Sequence, residues 1–198
     1  NLPASFRSAA VIAVSSMAML LVPVAAQALT PSAKDYAEVR RINQGFGADC
    51  EFTSTFTDKP RCRNSEQPEL LIWGDSFAMH LVPGLGQTTD LGVIQAPSSG
   101  CGPFLIRAPL SPKSVRLQAE HCLSFNDSVF EYLKRHPALR TVALSSPFEQ
   151  YVNPDAFGVQ VENGRAIQKP LGITIAVEAM RQTAAQLRAI GKHVILVS

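Results

Sequence analysis

The chain has 198 residues and a formal net charge of +2, with 46% apolar and 17% charged residues. The charged share is below the roughly 25% of a typical soluble domain. This composition argues against a largely disordered chain, and the small net charge without a Lys/Arg-rich run argues against nucleic-acid binding. The chain begins with Asn1 and stops at Ser198 directly after an apolar run, so we expect a fragment of a longer protein.

Residues 1–30 carry much of the apolar excess. No charged residue occurs from Ala9 to Leu29, and about 20 such residues span a bilayer as a helix. The stretch also fits a secretory signal peptide, with Arg7 ahead of it and an Ala-Gln-Ala cleavage site at 26–28. A buried core helix is a third interpretation. We predict a transmembrane helix over residues 1–30, with a signal peptide as the alternative, and both place the remaining chain outside the cytoplasm.

The four cysteines fit an oxidising compartment. They form no C-x-x-C motif and have no histidine at zinc-finger spacing, which argues against a metal site. Four cysteines allow three pairings, and the sequential pairing closes two short loops: Cys50 with Cys62, and Cys101 with Cys122. We predict this pairing, and four unpaired buried cysteines are the alternative.

Short apolar runs and amphipathic stretches predict α/β structure from residue 69 onward. The polar residues 31–68 are interpreted as a linker and a disulfide-tied lead-in. Strands are predicted at 69–73, 91–96, 140–144 and 194–197, and helices at 77–85, 119–135 and 173–190. Residues 97–112 are predicted as a loop. Residues 148–170 are predicted as an irregular excursion, in which Asn163-Gly164 indicates a type I′ hairpin turn.

Alternating strands and helices predict a parallel sheet covered on both faces, which is a three-layer α/β/α domain. Ligands bind beyond the carboxyl ends of the strands in such sheets. The segments that follow the first three strands are therefore candidates for a site: 74–76, 97–100 and 145–147.

Ser76 is predicted at the turn between a buried strand and a helix, which suits a nucleophile. Gly74 relieves crowding in such a turn, and the free N–H groups of a helix N-terminus stabilise an oxyanion. The hydroxyl still needs a general base. Asp75-Ser76 is also a common pair at helix N-termini, so Gly-Asp-Ser alone is a weak signal.

The string LLIWGDSFAMHLVPGL at 70–85 resembles the first motif of the SGNH (GDSL-like) hydrolase superfamily. It is most similar to SGNH domains fused to acyltransferase-3 membrane domains. An apolar span ahead of the domain, a cysteine pair before the Gly-Asp-Ser strand, and Cys101-Gly102-Pro103 after the second strand also fit that subfamily. The resemblance covers about residues 10–198. It implies a flavodoxin-like α/β/α domain over 69–198, C-terminally incomplete here and preceded by one transmembrane helix.

Site roles follow from the resemblance by position. It implies that Ser76 is the nucleophile and one oxyanion donor through its backbone N–H, while Asp75 supports the turn. The second donor is Gly100 or Gly102. The family's third motif supplies an asparagine after the third strand, but residues 145–147 are Ser-Ser-Pro here. The oxyanion hole therefore has two donors or is completed by a serine.

The family's Asp-x-x-His motif, which holds the general base, does not occur in residues 1–198, and we expect it beyond Ser198. None of the four histidines matches it: His80, His121, His136 and His193. We expect His80 to be an ordinary rim or surface residue. The segment 148–151 is expected either to line a glycan or acyl pocket or simply to pack as a loop.

The resemblance implies an O-acyltransferase of bacterial cell-surface polysaccharide, such as lipopolysaccharide O-antigen. It would lie in the inner membrane with the SGNH domain on the periplasmic side. Ser76 would receive an acyl group delivered through an upstream membrane domain and pass it to a sugar hydroxyl, without cofactor, metal or nucleic acid. The alternatives are a secreted SGNH esterase and a catalytically silent glycan-binding module. We expect residues 31–198 alone not to fold stably, because the last strand would be an exposed edge.

Overall fold

The computed structural model describes residues 43–110 and 115–198. In chain order, the regular elements of these residues are β1 (Leu70–Gly74), α1 (Ser76–Thr88), β2 (Val93–Pro97), β3 (Arg107–Leu110), α2 (Arg116–Arg135), β4 (Thr141–Ser145), α3 (Glu149–Val152), β5 (Phe157–Glu162), β6 (Arg165–Pro170), α4 (Ile173–Ala189) and β7 (His193–Val197). Two short 3₁₀ helices, Ala48–Cys50 and Pro60–Cys62, precede them.

The central sheet is parallel and has the strand order β2-β1-β4-β7. This is the order of a flavodoxin-like sheet, in which the first strand lies between the second and the third. Here β1 lies between β2 and β4, and β4 is the third strand of this sheet along the chain. The prediction of an α/β fold with a parallel sheet is confirmed. The transmembrane helix predicted at residues 1–30 lies outside the described residues. Within 43–110 and 115–198, no helix combines the length and apolarity that crossing a bilayer requires.

Successive residues of β1 face opposite sides of the sheet, as the two-residue period of a strand requires. Leu71 and Trp73 belong to the larger hydrophobic cluster, which includes residues of α2 and Leu187 of α4. Leu70 and Ile72 belong to a second cluster, together with residues of α1. Helices therefore cover both faces of the sheet, and the domain has three layers.

Residues 46–64, here called the edge segment, run beside β2 at one border of the sheet. The N–H of Phe52 donates to the carbonyl of Pro97, and the N–H of Asn64 donates to the carbonyl of Val93, each at 3.0 Å. The side chain of Phe52 is buried in the larger cluster. Because an uncovered edge strand exposes unpaired backbone groups, the edge segment protects β2.

The predicted cysteine pairing is confirmed. Disulfides join Cys50 to Cys62 and Cys101 to Cys122, and no cysteine is free. The first disulfide closes the edge segment on itself. The second attaches the residues that follow β2 to helix α2.

A second sheet, antiparallel and ordered β3-β5-β6, was missed by the sequence analysis. The prediction of a loop over 97–112 is wrong at β3, whose sequence Arg-Ala-Pro-Leu contains the strand-breaking Pro109. The prediction of an irregular excursion over 148–170 is wrong at β5 and β6, which form a hairpin. Its turn was predicted correctly, because Asn163 and Gly164 both have positive φ, 52° and 73°, as a type I′ turn requires.

Asn126 of α2 is a fully buried polar residue that links three parts of the domain. Its Oδ1 accepts a hydrogen bond from Nε1 of Trp73 in β1 at 2.8 Å. Its Nδ2 donates to the carbonyls of Gly102 and Phe104, at 3.0 and 2.9 Å. Residues 98–104, here called the β2 loop, are thereby fixed against β1 and α2.

We predict that Asn126→Ala destabilises the chain by about 3 kcal/mol, because it leaves one buried donor and two buried acceptors without this partner. Pulse proteolysis of the full-length protein over a series of urea concentrations, with the intact domain followed by immunoblotting, measures the loss. Ser124→Ala is the matched control, since Ser124 lies on the exposed side of the same helix. Equal stability of the two variants would contradict the linking role of Asn126.

Candidate active site

The carboxyl ends of three neighbouring strands meet at one edge of the central sheet. Gly74 of β1 is paired with Pro97 of β2 on one side and with Ser145 of β4 on the other. The three segments that the sequence analysis selected therefore begin side by side. Asp75-Ser76, the β2 loop and Ser146 each follow one of these strand ends directly.

Gly74 lies too close to β4 for any side chain. A Cβ atom at this position would be 1.7 Å from the carbonyl oxygen of Ser145. The N–H of the next residue, Asp75, donates to that same carbonyl at 3.3 Å. The glycine of the Gly-Asp-Ser motif is thus needed for close contact between strands, and the chain leaves β1 beside Ser145.

The Asp75 carboxylate accepts two hydrogen bonds at the turn between β1 and α1. Its Oδ1 accepts a hydrogen bond from the N–H of Phe77 at 2.9 Å and so caps the N-terminus of α1. Its Oδ2 accepts a hydrogen bond from the Ser146 hydroxyl at 2.6 Å. Burial raises the pKa of the Asp75 carboxyl, and the hydrogen bonds from Ser146 and Phe77 lower it in part.

Ser76 is the first residue of α1 and is half-buried. Its hydroxyl makes no hydrogen bond to any described residue. The N-terminal turn of a helix carries a positive partial charge, which favours negative charge that develops next to it. Ser76 is therefore an accessible hydroxyl in a local field that stabilises an oxyanion.

The two glycines predicted as oxyanion donors have different environments. The N–H of Gly102 donates to Oη of buried Tyr151 at 2.9 Å, so this donor is already used. Gly100 is exposed with φ +72°, and its carbonyl accepts a hydrogen bond from Nε2 of Gln150 at 3.1 Å. No described residue accepts a hydrogen bond from the Gly100 N–H. These contacts favour Gly100 over Gly102 as a donor to a ligand.

Ser146 occupies the place where the SGNH resemblance implies an asparagine. It is fully buried, and its hydroxyl hydrogen points to Asp75. A hydroxyl has one hydrogen to donate, so Ser146 in this arrangement supports Asp75 and has no hydrogen left for an oxyanion.

The segment 148–151 both packs and lines a cavity. Phe148 has φ 59°, a left-handed conformation that is strained for a bulky residue, and its ring meets Phe104 edge to face at 5.8 Å. The turn at Phe148 starts α3, in which Tyr151 is buried against Phe104 and Gln150 faces a cavity. Burial raises the pKa of Tyr151, so its hydroxyl stays neutral.

That cavity has a volume of about 500 Å³ and lies beside the β2 loop. Its walls come from residues 51–53 of the edge segment, residues 98–101 of the β2 loop, the first turns of α2, and Gln150. Sequence reasoning missed the cavity, because its walls are up to about 100 positions apart in the chain. His121, which the sequence analysis did not match to a role, is half-buried in its wall.

No histidine of the described residues hydrogen-bonds to Ser76. His80, one turn along α1, stacks on Phe77 with 5.9 Å between ring centres, and His136 bonds through Nδ1 to the carbonyl of Tyr132. His193 starts β7, which forms the edge of the central sheet opposite to β2. The described residues also contain no cluster of three or more His, Cys, Asp or Glu that could hold a metal ion.

We predict that Ser146→Ala destabilises the chain by about 2 kcal/mol at pH 7, because it removes a hydrogen bond to a buried, ionised carboxylate. The raised pKa of Asp75 means that protonation favours the folded chain. Ionised Asp75 therefore costs stability above its folded pKa, and this cost disappears as the pH falls through that value toward the ordinary 3.8. The loss caused by Ser146→Ala should shrink over the same range.

Pulse proteolysis of the full-length protein in urea, at a series of pH values between 7 and 4, measures this effect. Asp75→Asn is the control background, because an amide cannot ionise and the loss caused by Ser146→Ala should then be independent of pH. A loss that stays constant with pH in the presence of Asp75 would contradict the proposed hydrogen bond to an ionised carboxylate.

Comparison with known proteins agrees with this architecture. A family model described as "SGNH domain (fused to AT3 domains)" matches residues 49–198. The matched range includes the Gly-Asp-Ser turn, both disulfides and the whole central sheet. No curated protein and no solved structure gives a significant match. The match covers well over half of the chain, so the chain belongs to the SGNH domain family.

Proposed function

We propose that the chain is the SGNH part of a membrane O-acyltransferase that modifies cell-surface polysaccharide. The observation that carries the proposal is the accessible Ser76 hydroxyl at the start of α1, directly beyond the strand end that Gly74 brings against β4. The family description, which names a fusion to AT3 domains, supports transfer rather than simple hydrolysis.

In the proposed reaction, Oγ of Ser76 attacks the carbonyl carbon of an acyl donor. A general base takes the Ser76 proton and passes it to the donor's leaving group, which departs as an acyl-serine ester forms. A sugar hydroxyl then attacks this ester and gives its proton to the same base, which returns it to Oγ of Ser76 as the ester bond breaks. The products are an O-acylated sugar and free Ser76. The proposal assigns the base to an Asp-x-x-His motif elsewhere in the full-length protein.

Two backbone groups are proposed to stabilise the oxyanion of both steps, the N–H of Ser76 and the N–H of Gly100. Their support is the adjacency of β1 and β2 and the prior use of the Gly102 N–H by Tyr151. Loss of one such donor lowers rates on the order of 10²–10³-fold where it has been tested. A hole with two donors is therefore expected to work, at a rate below that of a hole with three.

The proposed location is the inner membrane, with this domain on the periplasmic side. Two disulfides support an oxidising compartment, because such bonds are rare in the reducing cytosol. The named fusion to AT3 domains supports an acyl group that reaches Ser76 through an upstream membrane domain.

We predict that Ser76→Ala in the full-length protein abolishes polysaccharide O-acylation, because Oγ of Ser76 carries the acyl group in the proposed reaction. The O-acyl content of purified polysaccharide measures activity, and immunoblotting measures the amount of protein. Ser124→Ala, on the exposed side of α2, is the control and should retain full acylation.

Undiminished acylation by Ser76→Ala would overturn the nucleophile assignment. Purified full-length protein separates the alternatives. Release of free acid from an acylated polysaccharide, without transfer to a second sugar, would indicate the esterase. Polysaccharide binding without either reaction would indicate a silent glycan-binding module.

A further inference from the structure

The cavity beside the β2 loop has a lining suited to a hydroxylated ligand. Seven of its wall residues carry polar side chains, among them Glu51, Thr53, Gln118, His121 and Gln150. Amide, hydroxyl, imidazole and carboxylate groups offer both donors and acceptors, which is what the many hydroxyls of a sugar require. Its volume of about 500 Å³ lies within the roughly 300–1,000 Å³ of small-ligand sites.

The cavity and the candidate active site share residues of the β2 loop. Ser99 and Gly100 line the cavity, and Gly100 is the proposed oxyanion donor. Two hydrogen bonds hold this part of the β2 loop, one from α3 and one from the edge segment. Gln150 donates to the carbonyl of Gly100 at 3.1 Å, and Glu51 accepts from the N–H of Ser99 at 3.3 Å. A ligand in the cavity would therefore contact the loop that carries the proposed donor.

We propose that this cavity binds sugar units of the acceptor glycan and so presents a neighbouring hydroxyl to acylated Ser76. The inference rests on the proposed acyltransferase function and adds the location of its acceptor. The acyl chain is a poorer occupant, because an acyl group is apolar and would leave the polar wall groups without partners. An anionic acceptor is also disfavoured, since the Glu51 carboxylate lies in the wall.

Gln118 and His121 are the most useful positions for a test. Both lie in the first turns of α2, Gln118 is exposed and His121 half-buried, and neither side chain hydrogen-bonds to another described residue. Their replacement should therefore remove contacts to a ligand without removing contacts that hold the fold. The double variant Gln118→Ala/His121→Ala deletes two potential hydrogen-bonding partners of a sugar.

The acceptor probe is alkali-treated cell-surface polysaccharide of the producing cell, from which O-acyl groups have been removed. Binding to full-length protein carrying Ser76→Ala is measured by isothermal titration calorimetry. Introducing Gln118→Ala and His121→Ala into this protein should weaken polysaccharide binding about tenfold, which is the effect of losing two ordinary hydrogen bonds. In protein with Ser76 intact, KM for the polysaccharide should rise by a similar factor, while hydrolysis of p-nitrophenyl acetate stays unchanged.

Matched controls are Gln182→Ala and His193→Ala, which change exposed residues of the same types on α4 and β7. These should change neither binding nor KM. Unchanged binding by Gln118→Ala/His121→Ala would overturn the acceptor site, and an equal fall in p-nitrophenyl acetate hydrolysis would overturn it in favour of a structural effect. Failure of the proposed function would appear separately, as full activity of Ser76→Ala.

Discussion

The close approach of β1 to β4 at Gly74 determines the geometry of the whole candidate site. A Cβ at Gly74 would overlap the Ser145 carbonyl, so only glycine allows this contact. The contact places Asp75 next to Ser146, and the 2.6 Å hydrogen bond between them joins the turns that follow the two strands. Because Asp75 also caps α1, the helix begins at Ser76, and the hydroxyl is held beyond the strand ends. The absence of a side chain at Gly74 thus allows the strand contact that positions Ser76, the candidate nucleophile.

The second half of the site depends on how the β2 loop is fixed. Asn126 holds the carbonyl of Gly102 from α2, and Tyr151 occupies the N–H of the same residue from α3. Gly102 is bonded on both sides, whereas the N–H of Gly100, two residues earlier on the same loop, donates to no described residue. Oxyanion stabilisation requires donors that are oriented before the reaction, since reorientation would cost part of their effect. The buried polar groups of Asn126 and Tyr151 therefore fix the loop that carries the proposed donor Gly100.

Short sequence patterns predicted those elements whose structure is determined by residues close together in the chain. The short apolar runs gave the four central strands to within about two residues, and Asn163-Gly164 gave the hairpin turn. The Gly-Asp-Ser turn was predicted because its chemistry lies in three consecutive residues. The second sheet was missed because β3 contains Pro109 and pairs with β5 about 50 positions later, which no local pattern encodes. The choice between Gly100 and Gly102 also depended on a distant residue, Tyr151, whose contact with Gly102 has no sequence signature.

The disulfides connect the proposed compartment with the proposed acceptor site. Cys101 and Cys122 themselves line the cavity, and Cys50 directly precedes Glu51, which lines it from the edge segment. Each bond restricts a wall segment that contains little regular structure of its own, and such segments lose much conformational entropy when they become ordered. An oxidising compartment lets these bonds persist and thus favours a preformed cavity, which lowers the ordering cost that a glycan would otherwise meet on binding. The same oxidising surroundings are where a cell-surface polysaccharide would be modified.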